Sequence, residues 1–247
     1  MTMKKNKTRQ IMEALEAHII QGIYPPYTRL PPERDLARSY KTNRFAIREA
    51  LAMLAQMGFV ETRPQSGTYV RPFGREGTVE MLTRMVRVKG VLDRDHLTAL
   101  LEYRRVNETQ AAQRAARVIT PEELSELADI LKEKKDSLDD PETQSRQDFL
   151  FHRGILAAGG NLIHQLIFNS FRPVYAHYTR FFYGINGTAE RSLELNRQLL
   201  QALEDKDPGA ARTAMEAILT HGGEEVLKAA AREEHGGLPL TPPRPTP

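Results

Sequence analysis

Asn43-Arg44-Phe45-Ala46-Ile47-Arg48-Glu49-Ala50-Leu51 decides how the first third of this chain is read. Asparagine is a good N-cap because its side-chain oxygen accepts a hydrogen bond from an unpaired N–H of the first turn. Ile47, Leu51 and Leu54 then recur on one helical face, and Gly58 stands where helices prefer to stop. Two shorter segments precede it. Residues 7–21 carry Ile11, Leu15, Ile19 and Ile20 at helical spacing before Gly22. A second helix starts after Leu30, has Pro31 and Pro32 near its first turn, turns Leu36 inward and ends near Tyr40. On the other side, residues 59–63 and 68–70 alternate like strands around the turn Pro64-Gln65-Ser66-Gly67. Three helices and a hairpin form the layout of a winged helix-turn-helix, whose third helix fits the roughly 12 Å wide major groove of DNA.

Beyond it, residues 72–77 are rich in helix breakers, and from there to about residue 234 the pattern is helical. Thr120-Pro121-Glu122-Glu123 combines an N-cap, a proline at the first position and a glutamate three residues after the cap. Breaks at Asp139-Asp140-Pro141, Gly159-Gly160-Asn161, residues 184–187 and Asp207-Pro208 divide the rest. The expected fold is mainly α: a winged helix-turn-helix over 1–73, a linker over 74–91, and an all-helical bundle of about six or seven helices over 92–234. A disordered, proline-rich tail is expected over 235–247.

Among 247 residues there is no cysteine, which excludes disulfide scaffolds, thiol nucleophiles and iron–sulfur clusters. No apolar run approaches the roughly 20 residues of a membrane span. Glu13 and Glu16 interrupt what would be the apolar part of a signal peptide, so a cytoplasmic protein is expected. The formal net charge is +3, but residues 1–75 hold thirteen Lys/Arg against six acids, a balance of +7, which leaves −4 on the remainder. The basic third either meets a polyanion or is a solvated face; charge alone does not separate the two.

Three motifs go further. Leu30-Pro31-Pro32-Glu33-Arg34-Asp35-Leu36-Ala37, the Asn43–Leu51 stretch and Gln65-Ser66-Gly67-Thr68-Tyr69-Val70 together resemble the GntR family of bacterial transcription regulators. The helical remainder is similar to the effector domain of the FadR subfamily. That likeness rests on Leu101-Glu102-Tyr103-Arg104-Arg105-Val106-Asn107-Glu108, Asp148-Phe149-Leu150-Phe151-His152, Gly160-Asn161 and the stretch from Gln201 to Asp207. The resemblance implies a ligand-responsive homodimer, repressor or activator, on a palindromic operator in double-stranded DNA. It places DNA contacts at Arg34, Asn43, Arg44 and Arg48 and at wing residues Gln65, Ser66 and Gly67. An arginine can hold guanine through O6 and N7, at about 1–3 kcal/mol of discrimination per pair. The competing reading of any single arginine is a surface salt bridge, for instance Arg48 with a nearby acid. Gln65 departs from the family's usual glycine, and Phe45 and Ala46 stand where small hydroxyl residues are usual.

Many domains of the subfamily hold a divalent metal with an Asp-x-x-x-His pair and two further histidines. Asp148 and His152 keep the pair, which shares a helix face. Asn196 stands at the third ligand position and Ile218 at the fourth, with His221 nearly a turn away. Isoleucine cannot ligate and an amide is a poor transition-metal donor, so no cofactor is expected, with a helix salt bridge as the other use of the pair. Residues 168–183, with Tyr178, Arg180 and Tyr183, and Arg191-Ser192-Leu193 resemble the acyl-CoA-responsive branch. They read either as a site for a large amphipathic effector or as an aromatic core with snorkelling arginines. Arg104 belongs in the same effector set, to pair with a ligand carboxylate, or with Glu108 four residues on. Asn196 completes it.

The function expected is a ligand-responsive transcription regulator, with a fatty acyl-CoA as the preferred effector and a metal-held small carboxylate as the alternative. An enzyme would rest on Asp148 and His152 alone, since no G-x-S-x-G, phosphate loop or H-E-x-x-H occurs. A DNA-binding protein without an effector would not need so long a helical domain. Residues 72–77 are the expected hinge between reader and sensor.

Overall fold

The structure, a computed structural model, describes residues 2–72, 76–89, 91–231 and 237–239. The chain divides into two compact units, Met1–Gly90 and Val91–Pro247, each with its own core.

The first unit contains α1 (Thr2–Ile20), α2 (Glu33–Ser39), α3 (Arg44–Gln56), β1 (Val60–Arg63), β2 (Gly67–Val70) and α4 (Val79–Lys89). Ile11, Leu15 and Ile19 of α1 meet Leu36 of α2 and Ile47, Leu51 and Leu54 of α3, with Phe59 closing the cluster. Asn43 caps α3 by accepting from the Ala46 amide at 2.9 Å. β1 and β2 pair antiparallel from Val60↔Val70 to Arg63↔Gly67. Arg29 makes an isolated antiparallel bridge to Tyr69 on the edge of the wing. The linker expected over 74–91 is largely helix instead. Met81 and Val86 of α4 are buried, and the buried Glu16 of α1 accepts from Arg84 at 2.9 Å and Arg87 at 3.2 Å. Apolar spacing made this segment helical, and the Glu16 ion pairs fasten it to the first unit. Of the expected hinge, residues 73–75 lie outside the described residues, while Arg71 and Glu76 on either side pair at 2.6 Å.

The second unit is a bundle of seven helices among the described residues: α5 (Arg94–Val118), α6 (Pro121–Asp136), α7 (Pro141–Ala158), α8 (Leu162–Ser170), α9 (Arg172–Tyr183), α10 (Thr188–Glu204) and α11 (Pro208–Ala230). Each break read in the sequence except residues 184–187 supplies a side-chain cap. Thr120 and Glu123 form a capping box, and Asp140, Asn161 and Asp207 accept from first-turn amides. The core joins Ala112 and Ala115 of α5 and Ile119 just beyond it to Leu127 and Leu131 of α6, Phe151 and Ile155 of α7, Leu199 of α10 and Met215 of α11. Part of the expected disordered tail is ordered: Gly237–Pro239 (β4) pairs antiparallel with Val91–Asp93 (β3), because a strand edge before α5 accepts a ladder partner. The rest of residues 235–247 lies outside the described residues.

Candidate DNA interface and buried polar centre

In the first unit five of the seven candidate DNA residues, all but Asn43 and Arg48, gather around one open groove between the wing and the start of α3. Arg29, Glu33, Arg34, Arg44, Arg63, Gln65, Ser66 and Gly67 line it. Arg44 and Arg48 are exposed on α3, and Phe45 beside them is 62% exposed, whereas Ala46 is buried. Arg48 donates to Glu33 at 2.7 Å with both groups exposed, so the surface pair read as its competing role is formed. Such a pair contributes about 0–1 kcal/mol and opens easily for a phosphate. Arg34 leans on Asp35 at 3.4 Å. The Asn43 side-chain oxygen is committed to the helix cap, which leaves its amide NH2 for DNA. Ser66 shares a hydrogen bond with the Tyr69 hydroxyl at 2.9 Å. Gln65 and Gly67 have φ of +60° and +127°. The left-handed backbone at residue 65 is one that glycine adopts without strain. Arg29 and Arg63 were missed from sequence; Arg63 was legible as a basic residue closing a wing strand, with its guanidinium over the Tyr69 ring at 4.6 Å.

The second unit contains a buried polar centre where α5, α6, α7, α9 and α10 converge. It has two linked halves. In one, Arg104 of α5 donates from Nε to Glu108 at 2.5 Å and from Nη2 to Tyr175 at 3.3 Å, and its Nη1 donates to the Tyr178 hydroxyl. Glu108 also bonds His152 Nδ1. In the other, Lys134 of α6 is wholly buried, and its ammonium donates to Asp148 at 2.8 Å, Tyr183 at 3.0 Å and Ser192 at 3.4 Å. With the Asn196 amide oriented to satisfy both its ends, its oxygen accepts from the same ammonium at 2.8 Å. Tyr175 and Tyr183 donate to opposite oxygens of Asp148 at 2.6 and 2.7 Å, tying the halves together.

Electrostatics follows from these partners. Burial works to raise the Asp148 carboxyl, but the Lys134 ammonium, His152 and the hydrogen bonds outweigh it and hold the group well below the usual carboxylate range. Glu108 is lowered the same way, burial being overcome by Arg104 and His152. Burial pulls the Lys134 ammonium below its ordinary value, with Asp148 opposing. The three tyrosine hydroxyls are pushed up, chiefly by burial, and stay protonated, Tyr175 and Tyr183 as donors to Asp148 and Tyr178 as an acceptor from Arg104.

Among the expected effector residues, Arg104, Tyr178, Tyr183 and Asn196 meet here with Asp148 and His152. Arg180 does not: it lies on the outer face of α9 and pairs with Glu142 at 2.9 Å, roughly half exposed. Helix phase decides this, since Tyr175, Tyr178, Thr179 and Phe182 occupy the buried face. Arg104 takes its alternative role, the pair with Glu108. The enclosed space beside the centre measures only about 30 Å³, between Arg104, His152, Phe182, Ile218 and His221.

The donor set does not suit a divalent metal at Asp148 and His152. Both Asp148 oxygens are already hydrogen-bonded, His152 Nδ1 is held by Glu108, the amide oxygen of Asn196 faces an ammonium, and Ile218 has no donor. Among the described residues no three His, Asp or Glu side chains gather as a metal site. Lys134, which sequence reading passed over, sets its ammonium against the same Asp148 carboxylate.

Residues 7–70 match the family described as bacterial regulatory proteins, gntR family, and residues 99–221 match the FCD domain. An HTH-type transcriptional regulator of Mycobacterium tuberculosis is 31% identical over 213 residues, 85% of this chain and 85% of its own length. A fatty acid metabolism regulator protein of Erwinia tasmaniensis is 29% identical over 199 residues, 77% of this chain and 80% of that one. A solved structure of Lar, described as controlling expression of the Listeria monocytogenes agr system, shares the fold with a TM-score of 0.61 at 18% identity, over 90% of this chain and 96% of that one. No helix among the described residues is long and apolar enough to cross a membrane. The winged unit with its exposed arginines and the helical unit with its buried centre are therefore the two halves of a transcription regulator, not of an enzyme, and the chain belongs to the gntR family of bacterial regulators with an FCD effector domain.

Proposed function

We propose that this protein is a cytoplasmic homodimer that binds a palindromic operator and releases or grips it in response to an acyl ligand, in preference to a metal-held small carboxylate. Residues 1–73 read the DNA and 92–234 sense the ligand. The observation that carries the reader is the groove where Arg34, Arg44 and the wing turn at Gln65, Ser66 and Gly67 face one opening, with Arg48 exposed on the same helix. Phosphate and base-edge contacts from these donors are the ordinary means of operator recognition. The double variant Arg44→Ala, Arg48→Ala is expected to lose at least about tenfold in operator affinity, with the slope of log K against log salt falling by about 2. A gel-shift titration at several salt concentrations checks this. Full sequence-specific binding with an unchanged salt slope would sink the assignment of those two residues.

Charge balance supports the acyl reading over the carboxylate one. Arg104 and Lys134 are the buried arginine and lysine of the helical unit among the described residues, and each is spent on an internal carboxylate. A small anion would have to displace one. The aromatic lining of α9 suits an apolar chain, and one relative carries a fatty acid name. A space of about 30 Å³ holds roughly one water. An acyl chain enters only as Phe182, Ile218 and their neighbours separate, which couples binding to a change of shape, the requirement for an effector. Thermal shifts with acyl-CoAs and with small organic acids, followed by operator titration, test it. Stabilisation by the acids alone would reverse the preference.

A further inference from the structure

The polar centre between α6, α7, α9 and α10 is built around a cation, and the chain supplies that cation itself. Four oxygens from three helices surround the Lys134 ammonium: Asp148 and Asn196 at 2.8 Å, Tyr183 at 3.0 Å and Ser192 at 3.4 Å. These are lengths of N–H···O hydrogen bonds, well beyond the roughly 2.0–2.6 Å of metal–oxygen bonds. Asp148 and Lys134 cancel in charge. A divalent ion entering beside them would leave two positive charges uncompensated in a buried site.

We propose that Lys134 is the resident cation of the helical domain: its tethered ammonium organises Asp148, Tyr183, Ser192 and Asn196, and thereby excludes divalent metal from the Asp148–His152 pair. Once the ammonium goes, Asp148 and His152 Nε2 are the ligating groups left, with the Asn196 amide as a weak third. His152 Nε2 lies 3.8 Å from Asp148 Oδ2 on the same face of α7, and the Asn196 oxygen points at the vacated position. Lys134→Ala removes the competing charge, makes room the size of its side chain, and leaves an unpaired carboxylate that attracts a cation. The inference does not depend on the operator or on the effector.

The test uses the full-length, tag-free chain, stripped with a chelator and then equilibrated separately with Mn²⁺, Ni²⁺ and Zn²⁺. Metal content after gel filtration and the thermal midpoint with and without metal are the readouts. The wild type is expected to retain no stoichiometric metal and to show no metal-dependent midpoint. Lys134→Ala is expected to hold about one ion per chain and to rise by about 5 °C or more when the ion is well above its Kd. That rise should vanish in Lys134→Ala, Asp148→Asn. Lys134→Gln, which keeps a hydrogen-bond donor, serves if the alanine variant does not fold with or without metal. A wild-type chain that takes up one ion through Asp148 overturns the proposal. So does a folded Lys134 variant that gains neither metal nor stability. Should neither variant fold, the wild-type uptake decides: one ion per chain overturns it, none supports it.

Discussion

Gln65 shows how much one backbone angle explains. At φ +60° it sits in a region that costs an L-residue about 1–2 kcal/mol, and the wing turn holds it there between Pro64 and Gly67. Glycine would adopt the angle without strain but would lose more freedom on folding, a cost of about 0.5–1 kcal/mol. The balance favours glycine slightly. Gln65→Gly is expected to raise the stability of the winged unit by up to about 1 kcal/mol, read as a higher urea midpoint with an unchanged slope. A lower midpoint would mean that the Gln65 side chain makes a contact worth more than the strain. Gly67 is the reverse case: at φ +127° any side chain is strained there, and a Cβ would come within 2.5 Å of the Arg29 Nε. The departure from the family's glycine at position 65 was visible in the sequence; its backbone cost was not, because a dihedral angle has no signature in one sequence.

Elements were legible where they announce their ends. Asn43, Thr120, Asp140, Asn161 and Asp207 all cap the helices they were read to start, since a side-chain oxygen in that position has few other local uses. Lys134 escaped notice because Lys132-Glu133-Lys134-Lys135 reads as a solvated charge run. The signal was nevertheless present: Leu127, Leu131 and Lys134 are spaced four and three apart, so the lysine continues the buried stripe of α6. Arg104 and Glu108 likewise continue the stripe of Leu97, Leu100 and Ala112 on α5, which was noticed only as a possible pair. Close helix approach is the least legible feature, because it depends on what faces a small residue. Gly159, ending α7, illustrates it: a Cβ there would lie 2.9 Å from the backbone oxygen of Ala111 and 3.2 Å from its Cβ. Both atoms belong to Ala111, buried on α5, and cannot swing away. Gly159→Ala is therefore expected to force α7 and α5 apart at a cost of about 1–3 kcal/mol. Denaturant unfolding of the helical unit measures it, and a loss under about 0.5 kcal/mol would show that the α7 end shifts freely.

At the scale of the whole molecule, the two units use charge in opposite ways. The basic excess of residues 1–75 is carried largely on exposed arginines, where salt screens it and where binding to DNA releases counterions. In the helical unit, Arg104, Glu108, Lys134 and Asp148 are paired and buried, beyond effective screening. Salt and acid therefore address different halves of the protein. Glu108 and Asp148 both titrate below their unfolded values of about 4.3 and 3.9. A depressed folded pKa contributes stability that is complete above the unfolded value and is lost as pH falls toward the folded one. Between pH 7 and 5 these two carboxylates therefore leave stability flat. Below about pH 4 both carboxylates withdraw stability as pH falls, so the unfolding free energy is expected to decline from pH 4 to pH 3. Urea unfolding at pH 7, 5, 4 and 3, repeated at 0.05 and 0.5 M NaCl, measures that limb. A slope that collapses at high salt would place the responsible carboxylates on the surface and contradict the buried centre. A slope that persists, while operator binding weakens steeply over the same salt range, separates an outward-facing reader from an internally neutralised sensor within one chain.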